Sequence, residues 1–373
     1  MKKTLLAVAL VLGTTPFAAG QTKPAKQEEP DTYKLPVNPP SWDDTARPLP
    51  TPDFLQPRLD DELTTFKPQY GKNLTGKITC TSFNVLPQLV DMWVEGFKEY
   101  YPNVQVSNPP PYSGKAALWL IDGKINCAFI SRELKHSDVT QFQQKYGYPP
   151  TSIPVVGGSF DHYGFLDSIA FIVNKDNPIN KLTYQQLDAI FSRTRYRGAP
   201  QAITTWGQLG LKGEWADKPI HVYGVKPWNG FEEFVREKVL SVGDKRGEWS
   251  DTMDLSNKVI MPIPLWVGWD KYGISYSGMA FITESTKPIA VAENSNGPYY
   301  APTYKEVALA NYPLARVSYI NVNKQPDKPL NPAMEEFIRY ILSRQGQQKV
   351  LDEGIYMPLR EKQVTPSLKY LSK

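Results

Sequence analysis

Between Lys77 and Lys135 an apolar strand, an amphipathic helix and a second strand–loop–helix unit follow one another in tight order. Strand and helix periodicities alternating this closely confine the segment to βαβ units, and hence to a parallel sheet with right-handed crossovers. Ile78 to Thr81 reads as a short strand, and Pro87 opens a helix whose Leu89, Val90, Trp93, Phe97 and Tyr100 share one face. Val104 to Val106 is the next strand, Ala116 to Ile121 a helix, and Asn126 to Ile130 a third strand.

The alternation continues beyond this unit. Ser168 to Asn174 (SIAFIVN) is a strongly apolar strand, followed by a helix from Thr183 to Phe191 with Thr183 as its N-cap. A strand at Ile220 to Tyr223 and a helix at Gly230 to Leu240 come next. Gly273 to Ile282 and Val317 to Val322 read as later strands, and Asn331 to Leu342 and Gln345 to Leu351 as amphipathic closing helices. The expected fold is two α/β lobes, the second inserted into the first. Lobe I takes residues 76–167 plus 276–373, lobe II residues 168–275, with crossovers near 165–172 and 272–282. Such a pair of lobes closes like a hinge over a ligand in the cleft.

The first residues give an address. Lys2-Lys3, the apolar run from Leu5 to Leu12 and Ala18-Ala19-Gly20 have the form of a cleavable signal peptide over residues 1–20. The run is too short to span a bilayer, and no later stretch is long enough. No cysteine follows the cleavage site, so no lipid anchor is expected there. The mature chain is therefore expected to be periplasmic or extracellular. Residues 21–75 are rich in Pro, Asp, Lys and Thr and read as a linker or an extension wrapping over the domain surface.

Charge and composition exclude several classes. The 42 basic residues nearly balance 38 acidic ones and are dispersed, so neither a nucleic-acid face nor a polybasic membrane patch is visible. Two cysteines and three histidines (His136, His162, His221) assemble no metal cluster. Cys80 and Cys127 lie on strands expected to be neighbours, where a disulfide and a pair of buried thiols are equally compatible with the pattern. There is no nucleophile elbow, H-E-x-x-H or Walker loop, so a binding protein is expected rather than an enzyme, with no cofactor.

Three small-residue turns, Thr81-Ser82, Tyr112-Ser113-Gly114 and Ile130-Ser131, stand where helices are expected to begin. Helix N-termini carry unpaired N–H groups and the positive end of the macrodipole, so three converging on one crevice make an oxyanion site. The candidate ligand residues are Thr81, Ser82 and Phe83, then Ser113 and Gly114, then Ser131 and Arg132. Lys226, Asn229 and Gly230 join them from the loop Gly224 to Gly230, between a strand and a helix. The same turns serve equally as ordinary helix caps, and Arg132 as a surface partner of Glu133 or Asp138.

These residues have a familiar order. Ser82-Phe83-Asn84-Val85-Leu86-Pro87, Ser113-Gly114 with Leu120 and Gly123, and Ser131-Arg132-Glu133-Leu134 are followed by SIAFIVN, Asp188-Ala189-Ile190-Phe191, WGQLGLKGEWADKPIHVYG and GISYSGMAF. Together they resemble the phosphate-binding (PstS-like) periplasmic proteins of ABC transporters over roughly residues 76 to 360. The resemblance implies a two-lobed type II binding-protein fold holding dehydrated phosphate by many hydrogen bonds, and a membrane permease as partner. It carries the ligand role to Ser82 and its neighbours, Ser113-Gly114 and Ser131-Arg132.

One loop departs from the family pattern of an arginine followed by Ser-Gly-Thr. Val225 stands at the arginine position and Asn229-Gly230-Phe231 at Ser-Gly-Thr. The expected function is capture of phosphate or a related oxyanion for ABC-type import, by a monomer. The alternative is a sensor or envelope interaction protein of the same fold with a drifted ligand site.

Overall fold

The computed structural model describes residues 58–83, 86–110, 115–161, 165–227 and 230–371. The signal-peptide reading of residues 1–20 lies outside them, as do Ser113, Gly114 and Asn229.

In chain order the first lobe contains β1 (Gly76–Ser82), α1 (Pro87–Lys98), β2 (Val104–Ser107), α2 (Ala116–Asp122), β3 (Cys127–Ile130), α3 (His136–Tyr146) and β4 (Thr151–Gly157). The second continues with β5 (Ile169–Asn174), β6 (Lys181–Thr183), α4 (Tyr184–Phe191), β7 (His221–Val225), α5 (Gly230–Val235), which runs on into a π-helical turn, and β8 (Asp254–Asn257). It is completed by α6 (Ile263–Trp269), β9 (Gly273–Gly278), β10 (Thr286–Pro288), β11 (Ala290–Ala292) and α7 (Tyr304–Ala308). The chain then returns to the first lobe with β12 (Val317–Val322), α8 (Pro332–Ile341), α9 (Arg344–Glu353) and α10 (Glu361–Leu371).

Two five-stranded sheets result, in the orders β2-β1-β3-β12-β4 and β10-β5-β9-β7-β8, with β11 and β6 as a separate pair. β1 runs parallel to β2 and β3, while β12 lies antiparallel between β3 and β4. In the second sheet β5 is antiparallel to both β10 and β9, and β7 is parallel to β8 and β9. This is the expected two-lobed α/β architecture with the second lobe inserted.

The local reasons are those of the residues. All six side chains of β5 are buried, as a continuous apolar run in mid-sheet must be when both faces are covered. α1 starts with proline in its first turn and buries Leu89, Val90, Trp93 and Phe97. Trp93 stacks on Phe129 at 5.9 Å and donates its indole N–H to the Gly346 carbonyl at 2.8 Å, tying α1 to β3 and α9. The Thr183 hydroxyl caps α4 by accepting the Gln186 N–H at 3.1 Å.

Two expectations are corrected. The return crossover does not lie at 272–282. β9 pairs with β5 from Ile169↔Gly278 to Val173↔Ile274, and β10 flanks β5 on the other side, so residues to about 312 belong to lobe II. The crossovers run instead through residues 158–168 and 312–316, and they bond to one another. Gly158 donates to the Arg316 carbonyl at 2.7 Å, Ile169 to that of Leu314 at 3.2 Å, and the Tyr312 hydroxyl to that of Ile169 at 2.8 Å. Secondly, no helix begins at Thr81-Ser82, which lie in β1 while α1 takes Leu86 as its N-cap, and none begins at Ile130-Ser131. α3 starts five residues beyond Ser131, with Lys135 as N-cap and its N–H donated to the Asp138 carboxylate at 3.1 Å.

Residues 58–75 wrap over lobe I. Leu63 and Phe66 are buried in its core, and Phe66 meets Tyr100, Tyr101 and Tyr340 edge-on. Cys80 lies directly opposite Cys127 on β1 and β3, and the two form a disulfide with Cα atoms 4.6 Å apart. Among the described residues no helix is long and apolar enough to cross a membrane.

Candidate functional site

Strand direction decides what meets in the cleft. The carboxyl ends of β1 to β4 and the start of β12 share one rim of the first sheet. The carboxyl ends of β7 to β10 and the start of β5 share one rim of the second. Both crossovers join these two rims, so the rims face one another across the cleft. Ligands of open α/β sheets bind at such carboxyl ends.

The first rim brings together Thr81 and Ser82 from β1, Asn108 after β2, Ser131 to Glu133 after β3 and Arg316 before β12. Ser82 is fully buried, and its hydroxyl accepts the Asn108 side-chain N–H at 3.0 Å. Ser131 is only 5% exposed, and its hydroxyl has no hydrogen-bond partner among the described residues. The Phe83 N–H is spent on the Phe129 carbonyl at 3.0 Å. Arg132 is largely engaged: it donates to the Glu133 carbonyl at 2.7 Å, lies 3.5 Å from the Asp138 carboxylate and covers the Phe83 ring at 5.8 Å.

The second rim brings Asp167 and Ser168 from the start of β5, Gly278 from the end of β9, and the β7–α5 loop. Asp167 is 1% exposed and accepts the Ala280 N–H at 3.3 Å. Burial raises its carboxyl to about 6, against the opposing pull of Arg316. Only glycine fits at Gly278, because a Cβ there would sit 2.0 Å from the Asp167 carboxylate and 2.9 Å from the Phe231 ring. The Ser168 hydroxyl is buried without a partner among the described residues, whereas Ser275 and Ser277 donate to the carbonyls of Tyr223 and Gly278. Val225 is fully buried in the lobe II core, Lys226 is exposed, and Gly230 opens α5 with free space around it.

Two contacts span the rims. Glu133 accepts from the Tyr319 hydroxyl at 3.0 Å and pairs with Lys238 of lobe II at 3.1 Å. The Arg316 guanidinium lies over the rings of Phe231 and Phe234, at 5.3 and 5.9 Å from their centroids. Sequence reasoning missed Arg316 and Lys238. The arginine's signal is its place directly ahead of the apolar run Val317–Val322, which becomes informative only once that strand is known to lie antiparallel between β3 and β4. A cavity of about 530 Å³ lies elsewhere, between the 58–75 segment and α8 and α10, and holds none of these groups.

The rims thus hold buried hydroxyls, the guanidiniums of Arg132 and Arg316, and the carboxylates of Glu133 and Asp167, of which Glu133 is already taken up by Tyr319 and Lys238. Among the described residues no cluster of His, Cys, Asp or Glu is arranged to hold a metal. A family model described as the PBP superfamily domain matches residues 70–345. The phosphate-binding protein PstS of Pseudomonas aeruginosa is 36% identical over 306 residues, covering 82% of this chain and 90% of that protein. The protein SphX of Synechococcus elongatus is 28% identical over 275 residues, 73% of this chain and 74% of that one. An ABC-type phosphate transport receptor from Vibrio cholerae aligns in three dimensions over 76% of this chain and all of its own, at 20% identity and a TM-score of 0.48. From the extent of the family match and the identity with the Pseudomonas protein, the chain belongs to the PBP superfamily and is a relative of PstS.

Proposed function

We propose that this chain is an exported, monomeric solute-binding protein that captures phosphate or a related oxyanion between its lobes and delivers it to the permease of an ABC transporter. The observation that carries this reading is the pair of facing rims, where the buried hydroxyls of Ser131 and Ser168, on the same rims as Arg316 and Asp167, have no partner among the described residues. A buried polar group without a partner is costly, and a dehydrated oxyanion supplies several acceptors at once. The relatives' own names point the same way. No nucleophile or metal is assigned, and the role is binding rather than catalysis.

Asp167 supplies the selectivity in this reading. Above about 6 its carboxylate accepts the proton of hydrogen phosphate; below that it is protonated and becomes a donor, which suits an oxyanion without a proton. Calorimetric titration of ligand-stripped protein with phosphate, sulfate, arsenate and molybdate tests both points. Phosphate is expected to bind at micromolar affinity or tighter, with its preference over sulfate shrinking as pH falls through about 6. No heat from any member of the panel would refute the reading. One observation favours the drifted-site sensor instead: Val225 is sealed in the core where the family pattern places an arginine.

A further inference from the structure

The oxyanion reading leaves a charge unaccounted for. Of the cations near the cleft, Arg132 is tied to the Glu133 carbonyl and Asp138. In lobe II, Arg236 pairs with Glu232 at 2.5 Å, Arg246 with Glu233 at 2.7 Å, and Lys238 with Glu133 at 3.1 Å. Lys226 is exposed.

Arg316 differs from all of these. Its Nε is sealed from solvent and has no hydrogen-bond acceptor, and no carboxylate lies within ion-pair distance of its guanidinium among the described residues. Asp167, Glu133 and Tyr356 are near enough to act on it electrostatically. Its recorded contacts are aromatic, with Phe231 at 5.3 Å and Phe234 at 5.9 Å. An aromatic face steadies a guanidinium without using up its N–H groups. A cavity of about 190 Å³ that Arg316 lines together with Lys238 and Tyr312 includes none of Ser82, Ser131, Asp167 and Ser168, so the charge is turned to the anion from the buried side of the hinge.

We propose that Arg316, on the return crossover, is the main charge donor to the anion held between the lobes, in place of the arginine that the β7–α5 loop lacks. This rests on the oxyanion reading above. The guanidinium fork matches two oxygens of a tetrahedral oxyanion. Because the crossover supplies the backbone while α5 of lobe II supplies the supporting rings, the cation is held by both lobes together. Anion binding then favours the arrangement in which Phe231 and Phe234 are close to the hinge. Charge delivered from the hinge, not from the second-lobe loop, is the distinguishing claim.

The rival account makes Arg316 a structural counter-charge for Asp167. Arg316→Met keeps much of the side-chain volume and removes the charge, and the double variant R316M/D167N removes both charges so that neither is left buried alone. Phosphate affinity is expected to fall roughly 10- to 100-fold in R316M against the unmodified protein, and similarly in the double variant against D167N. Thermal midpoints identify the pair that is folded and therefore decides. Affinity within about threefold in a folded pair would overturn the proposal while leaving the oxyanion reading intact. If the unmodified protein binds no oxyanion at all, both fall together.

Discussion

Replacing Ser131 by phenylalanine is expected to abolish measurable phosphate binding, and replacing it by alanine to weaken binding by a factor of roughly 2 to 10. Ser131 follows β3 at the rim, is 5% exposed and carries a hydroxyl without a partner among the described residues. A ring placed there has no solvent to turn into and must enter the space assigned to the anion, whereas alanine forfeits one hydrogen bond. Overpacking costs about 1–3 kcal/mol, so the bulky variant is expected to fold with a lowered melting temperature. Titration calorimetry on protein verified by circular dichroism separates the two effects. Folded Ser131→Phe protein with the affinity of the parent would remove Ser131, and with it the first-lobe rim, from the site.

Removing the Cys80–Cys127 disulfide is expected to produce the largest loss of stability. The bridge closes a loop with a sequence separation of 47, for which the chain-entropy estimate is about 4 kcal/mol. Both residues are completely buried between β1 and β3, so reduction also leaves two thiols in a packed sheet. Lobe II has its own core and does not share the bridge. Urea unfolding of Cys80→Ala/Cys127→Ala protein is therefore expected to shift the transition of lobe I far more than that of lobe II. Coincident transitions at the parent's denaturant concentration would show that the bridge contributes little. The same strands end in Ser82 and lead into Ser131, so loosening them is expected to weaken anion binding as well.

Much of this fold was legible where a single element declares itself. The run SIAFIVN, the Pro87-led helix and the Thr183 cap each follow from local chemistry, and they appear as β5, α1 and α4. Partner choice between strands was not legible. Gly273 to Gly278 reads as a strand at any position, and only its antiparallel pairing with β5 places it deep in lobe II. The return crossover was misplaced for that reason. Ser131 resembled a helix cap because Asp138 and the polar run after it suit a helix start. The cap falls instead at Lys135, where extended backbone gives way to α3. Arg132 was visible and is largely spent on its neighbours. Arg316 was invisible because its importance depends on a strand inserted antiparallel between two strands far earlier in the chain.

Hydrogen–deuterium exchange with and without saturating phosphate tests most directly whether an anion is held between the two rims. Slowed exchange is predicted in both lobes at once: around Ser82 and Ser131 on the first rim, and around Asp167, Lys226 and Phe231 on the second. Unchanged exchange at both rims under saturating phosphate would contradict the account, as would protection confined to surfaces away from them.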